Sequence, residues 1–317
     1  MNVCIVGFGA IGPIHAEALS KLSGVNIYGI CDIVKERADE AAKKYSAKAF
    51  YDFDECLLDE NIDSIHVCTP HYLHYEMITK AVSRNKQVVC EKPITMTGEE
   101  FSSLMRDFDT SRVYPVFQNR KNACIEYLAE RIGTDKSLGR LRGVKGIATW
   151  VRGADYYNAD AWRGTKKYEG GGVLINQTIH LLDLMLLFGG KVSSVCSSAS
   201  NKSLQGVIEV EDTLDARIEF ESGAVGVFFA TNGYAENTPF QLELVFENKV
   251  FVYYRGSLYE DGNLVCSDSG ASPGKDYWGS GHARIMHDIY ETDSPLTLAE
   301  TRETMELMFK IYDRANK

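Results

Sequence analysis

The 317-residue sequence has no dense run of Lys and Arg, and no CxxC pair among its eight cysteines (4, 31, 56, 68, 90, 124, 196 and 266). It also lacks any stretch of roughly eighteen apolar residues long enough to cross a bilayer. A formal net charge of −10 without a basic patch excludes nucleic acid and anionic membrane surfaces as expected partners. The start, MNVCIVGFG, places no basic segment ahead of a long apolar stretch, so neither export nor membrane insertion is expected. Several cysteines lie inside apolar, strand-like runs where they pack as small hydrophobes, a usage that suits reduced thiols in a cytoplasm. Internal repeats and low-complexity linkers are absent as well.

What the chain has is a change of rhythm. Up to residue 118, short apolar runs alternate with helical stretches; beyond it come one long glycine-led helix and several alternating strands. The expected organisation is α/β, with a first domain over 1–118 and a second over 119–317 whose C-terminal helix can pack back on the first.

NVCIVGFGAIG reads as a buried strand running into Gly7, Gly9 and Gly12 at G-x-G-x-x-G spacing, with a helix continuing past Gly12. Alone this pattern is weak. A second strand, VNIYGIC, ends at Asp32, where a carboxylate accepts hydrogen bonds from a ribose 2′-hydroxyl and repels a 2′-phosphate. The first domain is therefore expected to be a Rossmann dinucleotide-binding domain taking NAD rather than NADP, with Gly7, Phe8, Gly9, Ala10, Ile11, Gly12 and Asp32 around the cofactor. The strands IDSIHVC, QVVC and VYPVF each end at polar groups: Thr69 with Pro70, Glu91 with Lys92, and Gln118 to Arg120. Ligands of open parallel sheets bind outside the carboxyl ends of strands, which adds Thr69, Pro70, Glu91, Lys92 and Asn119 to the expected cofactor contacts. Lys92 precedes Pro93, which biases it toward extended geometry; from spacing alone it reads equally as a surface lysine. His71 and His74 have ligand-like i, i+3 spacing but no carboxylate or cysteine partner set. No metal is expected, and His74 reads as a loop residue near the cofactor.

In the second half, LRGVKGIATWVRG, EDTLDARIEF, AVGVFFATNG, QLELVFE and KVFVYY read as strands joined by ESGA and ENK turns, predicting an open, mainly antiparallel sheet. One face of FQLELVFENKVFVYY is partly apolar, which suits self-association. A closing helix is predicted from about Leu298, with a capping-box pattern at Thr297 and Glu300. The loop RGADYYNADAWRGTKKYEGGG holds aromatics and arginines that fit either a sugar-binding wall or simple loop packing. It feeds GGGVLINQTIHLLDLMLLFGG (170–190), an apolar helix interrupted by Asn176, His180 and Asp183, four and three residues apart and so on one face. A narrow polar strip on an apolar helix lines either a cavity or a satisfied core network; the glycine run ahead of it admits close approach of another chain or a ligand.

GFGAIG, CTPHYLH, CEKPIT, QNR, AWRGT and the glycine-led helix occur in the order and spacing of the Gfo/Idh/MocA family, which includes glucose-fructose oxidoreductase and inositol dehydrogenase, and the chain resembles that family over nearly its whole length. The resemblance implies an N-terminal Rossmann domain, a C-terminal α/β domain on an open sheet, homodimers or homotetramers through that sheet, and hydride transfer on a sugar, polyol or sugar nucleotide. Residue by residue, Lys92 matches the lysine of the EKP motif and His180 the catalytic histidine. Asn176 is a departure: many polyol-oxidising members carry aspartate there, while some sugar-nucleotide-oxidising branches carry asparagine. An amide orients substrate but takes up no proton.

The catalytic set expected from this is Lys92, His180 and Asn176, and the substrate contacts are these with Arg120, Tyr157, Trp162 and Arg163. An unperturbed imidazole titrates near ~6.5, so His180 is the general base; Lys92 stabilises the developing alkoxide or shares its proton, and Asn176 fixes the hydroxyl. Asp183 either orients the imidazole or bonds only to backbone. Two other readings share the fold: an NAD-dependent glycosidase with no net redox turnover, and a non-catalytic NAD-binding sensor, which has no need of both Lys92 and His180.

Overall fold

In the computed structural model, which describes residues 1–268 and 281–315, the run NVCIV forms β1 (Asn2–Val6), buried at every position after the first. Uninterrupted burial marks a strand covered on both faces. Five more strands lie parallel in the same sheet: β2 (Asn26–Cys31), β3 (Lys48–Phe50), β4 (Ser64–Val67), β5 (Gln87–Cys90) and β6 (Val113–Pro115), in the order β3-β2-β1-β4-β5-β6. The helices between them are α1 (Gly12–Leu19), α2 (Lys35–Tyr45), α3 (Phe53–Leu58), α4 (His74–Val82) and α5 (Gly98–Asp107). Asp52 caps α3 by accepting from the Asp54 and Glu55 N–H groups, and Thr97 with Glu100 forms a reciprocal capping box on α5. The strand order reverses between β1 and β4, the switch point outside which ligands of such sheets bind. This is the Rossmann arrangement expected for the first half.

The second unit is built on an eight-stranded sheet. After α6 (Ala123–Thr134) come β7 (Leu141–Thr149), α7 (Ala154–Asn158), a π-helical turn (Val173–Thr178) and α8 (Ile179–Gly189). Then follow β8 (Val192–Ser200), β9 (Thr213–Phe220), β10 (Val225–Thr231), β11 (Gln241–Phe246), β12 (Val250–Tyr254), β13 (Ser257–Glu260) and β14 (Asn263–Ser267). The order is β14-β13-β12-β11-β7-β10-β9-β8, antiparallel except where β10 runs parallel to β7. On β9 the alternation is plain: Leu214, Ala216, Ile218 and Phe220 are buried, while Asp215 and Arg217 are exposed. α8 packs on β7, β10 and β11, and its own residues are buried almost throughout. β8, rich in serine, was not among the expected strands, because its half-exposed VSSVCSSAS carries little apolar alternation.

The chain then returns to the first unit, which comprises Met1–Gln118 and Gly281–Thr301; the second holds the remaining described residues, 119–268 and 302–315. In α9 (Gly281–Glu291), Ile285, Met286 and Ile289 join Ala16 and Leu19 of α1 in one apolar cluster. The last helix, α10 (Arg302–Ala315), packs on β8 and α8 of the second unit. The block expected over 119–317 is thus interrupted, and α9 rather than the C-terminal helix covers α1. Near the expected capping box, Glu300 reaches back to the N–H and hydroxyl of Thr297, but Ala299–Thr301 is a 3₁₀ turn and the α-helix starts only at Arg302.

Candidate active site

The glycine spacing in the first unit is enforced by contact. Gly7 takes φ +88°, and a Cβ there would lie 2.7 Å from the Cys68 carbonyl oxygen; a Cβ on Gly12 would lie 2.5 Å from that of Gly7. Gly9 has nothing within 4 Å of its missing Cβ, so the loop is open on that side. The first turn of α1 has no side-chain cap; Pro13 carries no N–H, and the Ile14 N–H bonds back to the Ile11 carbonyl at 2.9 Å. At the end of β2, the Asp32 carboxylate accepts from the Phe8 N–H at 2.8 Å, the Val34 N–H at 2.9 Å and the half-exposed Arg37 guanidinium at 3.1 Å. A loop closed to side chains but open at Gly9, beside a fixed carboxylate, fits the pyrophosphate and ribose of a dinucleotide.

Glu91 and His74 do not reach out to a ligand. Glu91 is buried, and its carboxylate accepts from His15 Nε2 at 3.0 Å and faces His282 Nε2 at 3.5 Å. Burial alone would push Glu91 up, but these imidazoles hold it well below the usual carboxylate range. Burial drives His15 and His66 down, so both rings are neutral and their bonds run one way. The Tyr290 hydroxyl donates to His66 Nε2 (2.7 Å), His66 Nδ1 donates to His15 Nδ1 (2.8 Å), and His15 Nε2 donates to Glu91. The expected cofactor contact at Glu91 is therefore corrected: its negative charge is satisfied inside the unit. His74 is likewise corrected, because it is fully buried and its two ring nitrogens face the carbonyls of Pro93 (2.6 Å) and Thr69 (2.8 Å), tying two of the loops together. Thr69, Pro70 and Lys92 stay partly exposed beyond the ends of β4 and β5.

In the second unit the polar stripe divides. Asn176 Nδ2 donates to Glu169 Oε1, and Glu169 also accepts from the Gly164 N–H. Asp183 instead receives both arms of Arg120, Nε at 2.7 Å and Nη2 at 2.6 Å, plus the Thr304 hydroxyl at 2.7 Å. The proposed Asp183 support of His180 is corrected accordingly, since its oxygens are occupied by a buried ion pair and a hydroxyl. Arg120, expected on substrate, has its fork taken up by Asp183. His180 itself is buried to 9% exposure, four residues beyond Asn176 across the junction of the π-helical turn and α8. Such turns are frequent at functional sites. The glycine run admits other parts of the chain itself, one side chain and one stretch of backbone: a Cβ on Gly171 would strike the Tyr312 hydroxyl and one on Gly172 the Glu211 backbone carbonyl. Glu211 accepts from the Gly172 and Leu174 N–H groups at 2.8 and 3.1 Å and from Tyr312 at 2.8 Å, capping the helix entry from a distant loop.

The aromatic loop is only partly a wall. Tyr157, an expected substrate contact, is corrected to a core residue: it packs with Leu204, Ile208 and Val210 and receives Asn232 Nδ2 at 2.9 Å. Its neighbour Tyr156 is the more open ring, with the Arg163 guanidinium 4.5 Å and that of Arg152 5.4 Å from its centroid. Arg163 also pairs with Asp160 at 2.8 Å, and Trp162 is half-buried beside it. Asn119 is buried in the 3₁₀ turn Gln118–Lys121, and its side-chain oxygen has no hydrogen-bond partner among the described residues.

With this geometry in view, residues 1–116 match the model of an oxidoreductase family with an NAD-binding Rossmann fold, Gfo/Idh/MocA, and residues 128–252 match that family's C-terminal domain. The chain belongs to the Gfo/Idh/MocA family. Among its curated relatives, levoglucosan dehydrogenase of Pseudarthrobacter phenanthrenivorans is 26% identical over 277 residues, covering 77% of this chain and 71% of the relative. Myo-inositol 2-dehydrogenase of Thermotoga maritima is 27% identical over 236 residues, covering 72% and 67%. The WlbA dehydrogenase of Bordetella pertussis, solved in complex with NADH and UDP-GlcNAcA, has the same fold with a TM-score of 0.85 at 24% identity, covering 100% of this chain and 96% of the other. No helix of the described residues is long and apolar enough to cross a membrane.

Within this Gfo/Idh/MocA frame, sequence reasoning missed Glu169, Glu211, Tyr156 and the His15–His66–Tyr290 series. Only Glu169 left a local signal, a lone acid directly ahead of the glycine run.

Proposed function

We propose that the chain transfers hydride between nicotinamide and a secondary hydroxyl of a sugar, polyol or sugar nucleotide, with NAD preferred to NADP. The observation that carries this reading is the glycine cradle beside Asp32, in a chain whose relatives are named levoglucosan and myo-inositol dehydrogenases. Gly7, Phe8, Gly9, Ala10, Ile11 and Gly12 hold the pyrophosphate and Asp32 the ribose, with Thr69, Pro70 and Lys92 along the loop edge. When bound, the nicotinamide supplies the hydride acceptor. His180 takes the hydroxyl proton, Lys92 stabilises the developing alkoxide, and Asn176 orients the sugar by hydrogen bonds. Tyr156, Trp162 and Arg163 supply aromatic faces and guanidinium donors on the substrate side.

The partly apolar outer face of the second sheet, with Val225 and Val227 exposed on β10, is where two or four copies of this chain associate. The free state of all eight cysteines supports work in a reducing cytoplasm.

The test offers NAD with a panel of polyols, free sugars, sugar acids and UDP-sugars and follows nicotinamide absorbance. NADH formation with one class supports the reading. Silence across the panel from a protein that still binds NADH overturns it, and product analysis on glycosides then decides for redox-neutral cleavage.

A further inference from the structure

Glu169 is fully buried one residue ahead of the glycine run, and none of the roles above uses its carboxylate. Resting on the reading of the second unit as the alcohol-oxidising side, we propose that Glu169 is a positioning residue: by accepting from Asn176 Nδ2 it dictates which end of that amide meets the substrate, and on taking a proton it reverses the choice.

The chemistry is that of donor and acceptor matching. An ionised carboxylate only accepts, so only the NH₂ end of Asn176 can face it. The amide oxygen then lies on the other side of Cγ, and an oxygen with two lone pairs can accept from a substrate hydroxyl next to the reacting one. The Gly164 N–H, pointing at the same carboxylate, holds Glu169 in place from the preceding loop. A protonated Glu169 donates instead, and its best partner on the amide is the oxygen. Asn176 then turns its NH₂ toward substrate, so the acceptor that held the neighbouring hydroxyl is lost and the sugar is no longer held in the reactive orientation.

The surroundings place this switch in a usable range. Burial pushes Glu169 up to about 7, the Glu211 carboxylate adds to that push, and the Gly164 and Asn176 bonds and Arg163 oppose it. Tyr157 of α7 and Tyr312 of α10 also feel its charge. Glu211 cannot play the same part, because its oxygens are engaged by Gly172, Leu174 and Tyr312.

The experiment has a readout independent of turnover. In protein labelled with ¹⁵N-asparagine, the Asn176 side-chain NH₂ signal, assigned by its loss in Asn176→Asp, is followed across neutral pH. It should titrate with a midpoint near 7 in the wild type and stay flat in Glu169→Gln. The same titration persisting in Glu169→Gln, or no titration in the wild type, overturns the proposal. With the sugar found in the panel, Glu169→Gln should lower kcat/KM about tenfold and remove the acid limb of its pH profile. The exchange Glu169→Gln with Asn176→Asp restores a carboxylate–amide pair and should recover most of that loss; a double variant no better than the single one contradicts the pairing. A protein that oxidises no sugar yet keeps the Glu169-dependent amide titration refutes the function while upholding Glu169's control of Asn176.

Discussion

Two buried glutamates sit beside the motif side chains of the two units, Glu91 next to Lys92 and Glu169 on Asn176, and their surroundings drive them in opposite directions. Burial pushes both up. Glu91 is met by His15, His282 and the Lys92 N–H, and these donors keep it ionised. Glu169 accepts from an amide and a peptide N–H and feels the Arg163 guanidinium, but with the Glu211 carboxylate nearby these do not offset its burial, and it stays up near 7. The number and kind of donors, not depth, decides the charge of a buried acid. The first unit thus carries a fixed charge beneath the EKP loop, while the second carries one poised to change.

Asp183 tells whether fixation follows the unit or the donors, since it lies seven residues beyond Asn176 yet is held by Arg120 and Thr304. Replacing Arg120 with Ala strands that buried carboxylate and should lower unfolding stability by about 3–5 kcal/mol in urea melts. A loss under about 1 kcal/mol with a raised KM would return Arg120 to the substrate.

The two glutamates should give opposite pH signatures. Glu169 titrates near 4.5 unfolded and near 7 folded, so its contribution is full below 4.5 and is lost as pH rises through 7. Glu169→Gln should therefore gain on the wild type over that window by roughly 3 kcal/mol, read as denaturation midpoints. Glu91, depressed in the fold, contributes above its ordinary value of 4.5 and loses this as pH falls through its folded value. Glu91→Gln should thus cost about 1.5–3 kcal/mol near neutrality and progressively less in acid. Parallel pH curves for the two variants would break the comparison.

A smaller effect is expected at the cofactor. Asp32→Ala should narrow the preference for NADH over NADPH about tenfold in fluorescence titrations, and an unchanged ratio would remove Asp32 from the ribose.

Much of the first unit was legible because its constraints are local. Strand burial is continuous, and Gly7 and Gly12 are dictated by backbone only a few atoms away. The second unit resisted because its partners are remote: Glu211 caps a helix entry 39 residues back, and Thr304 reaches Asp183 from 121 residues on. Spacing put Asn176, His180 and Asp183 on one face but could not say that Glu169 claims the first and Arg120 the last. Nor does composition distinguish Tyr156 from Tyr157, neighbours whose rings stand at 89° to each other, one in the core and one toward the arginines.

The most direct test is NADH formation by wild type and His180→Ala with the sugar identified in the panel. A fall in turnover of roughly 10²–10⁴, with the variant still folded and binding NADH, is the predicted result. Turnover close to wild type would contradict the assignment of the second unit's helix to proton transfer.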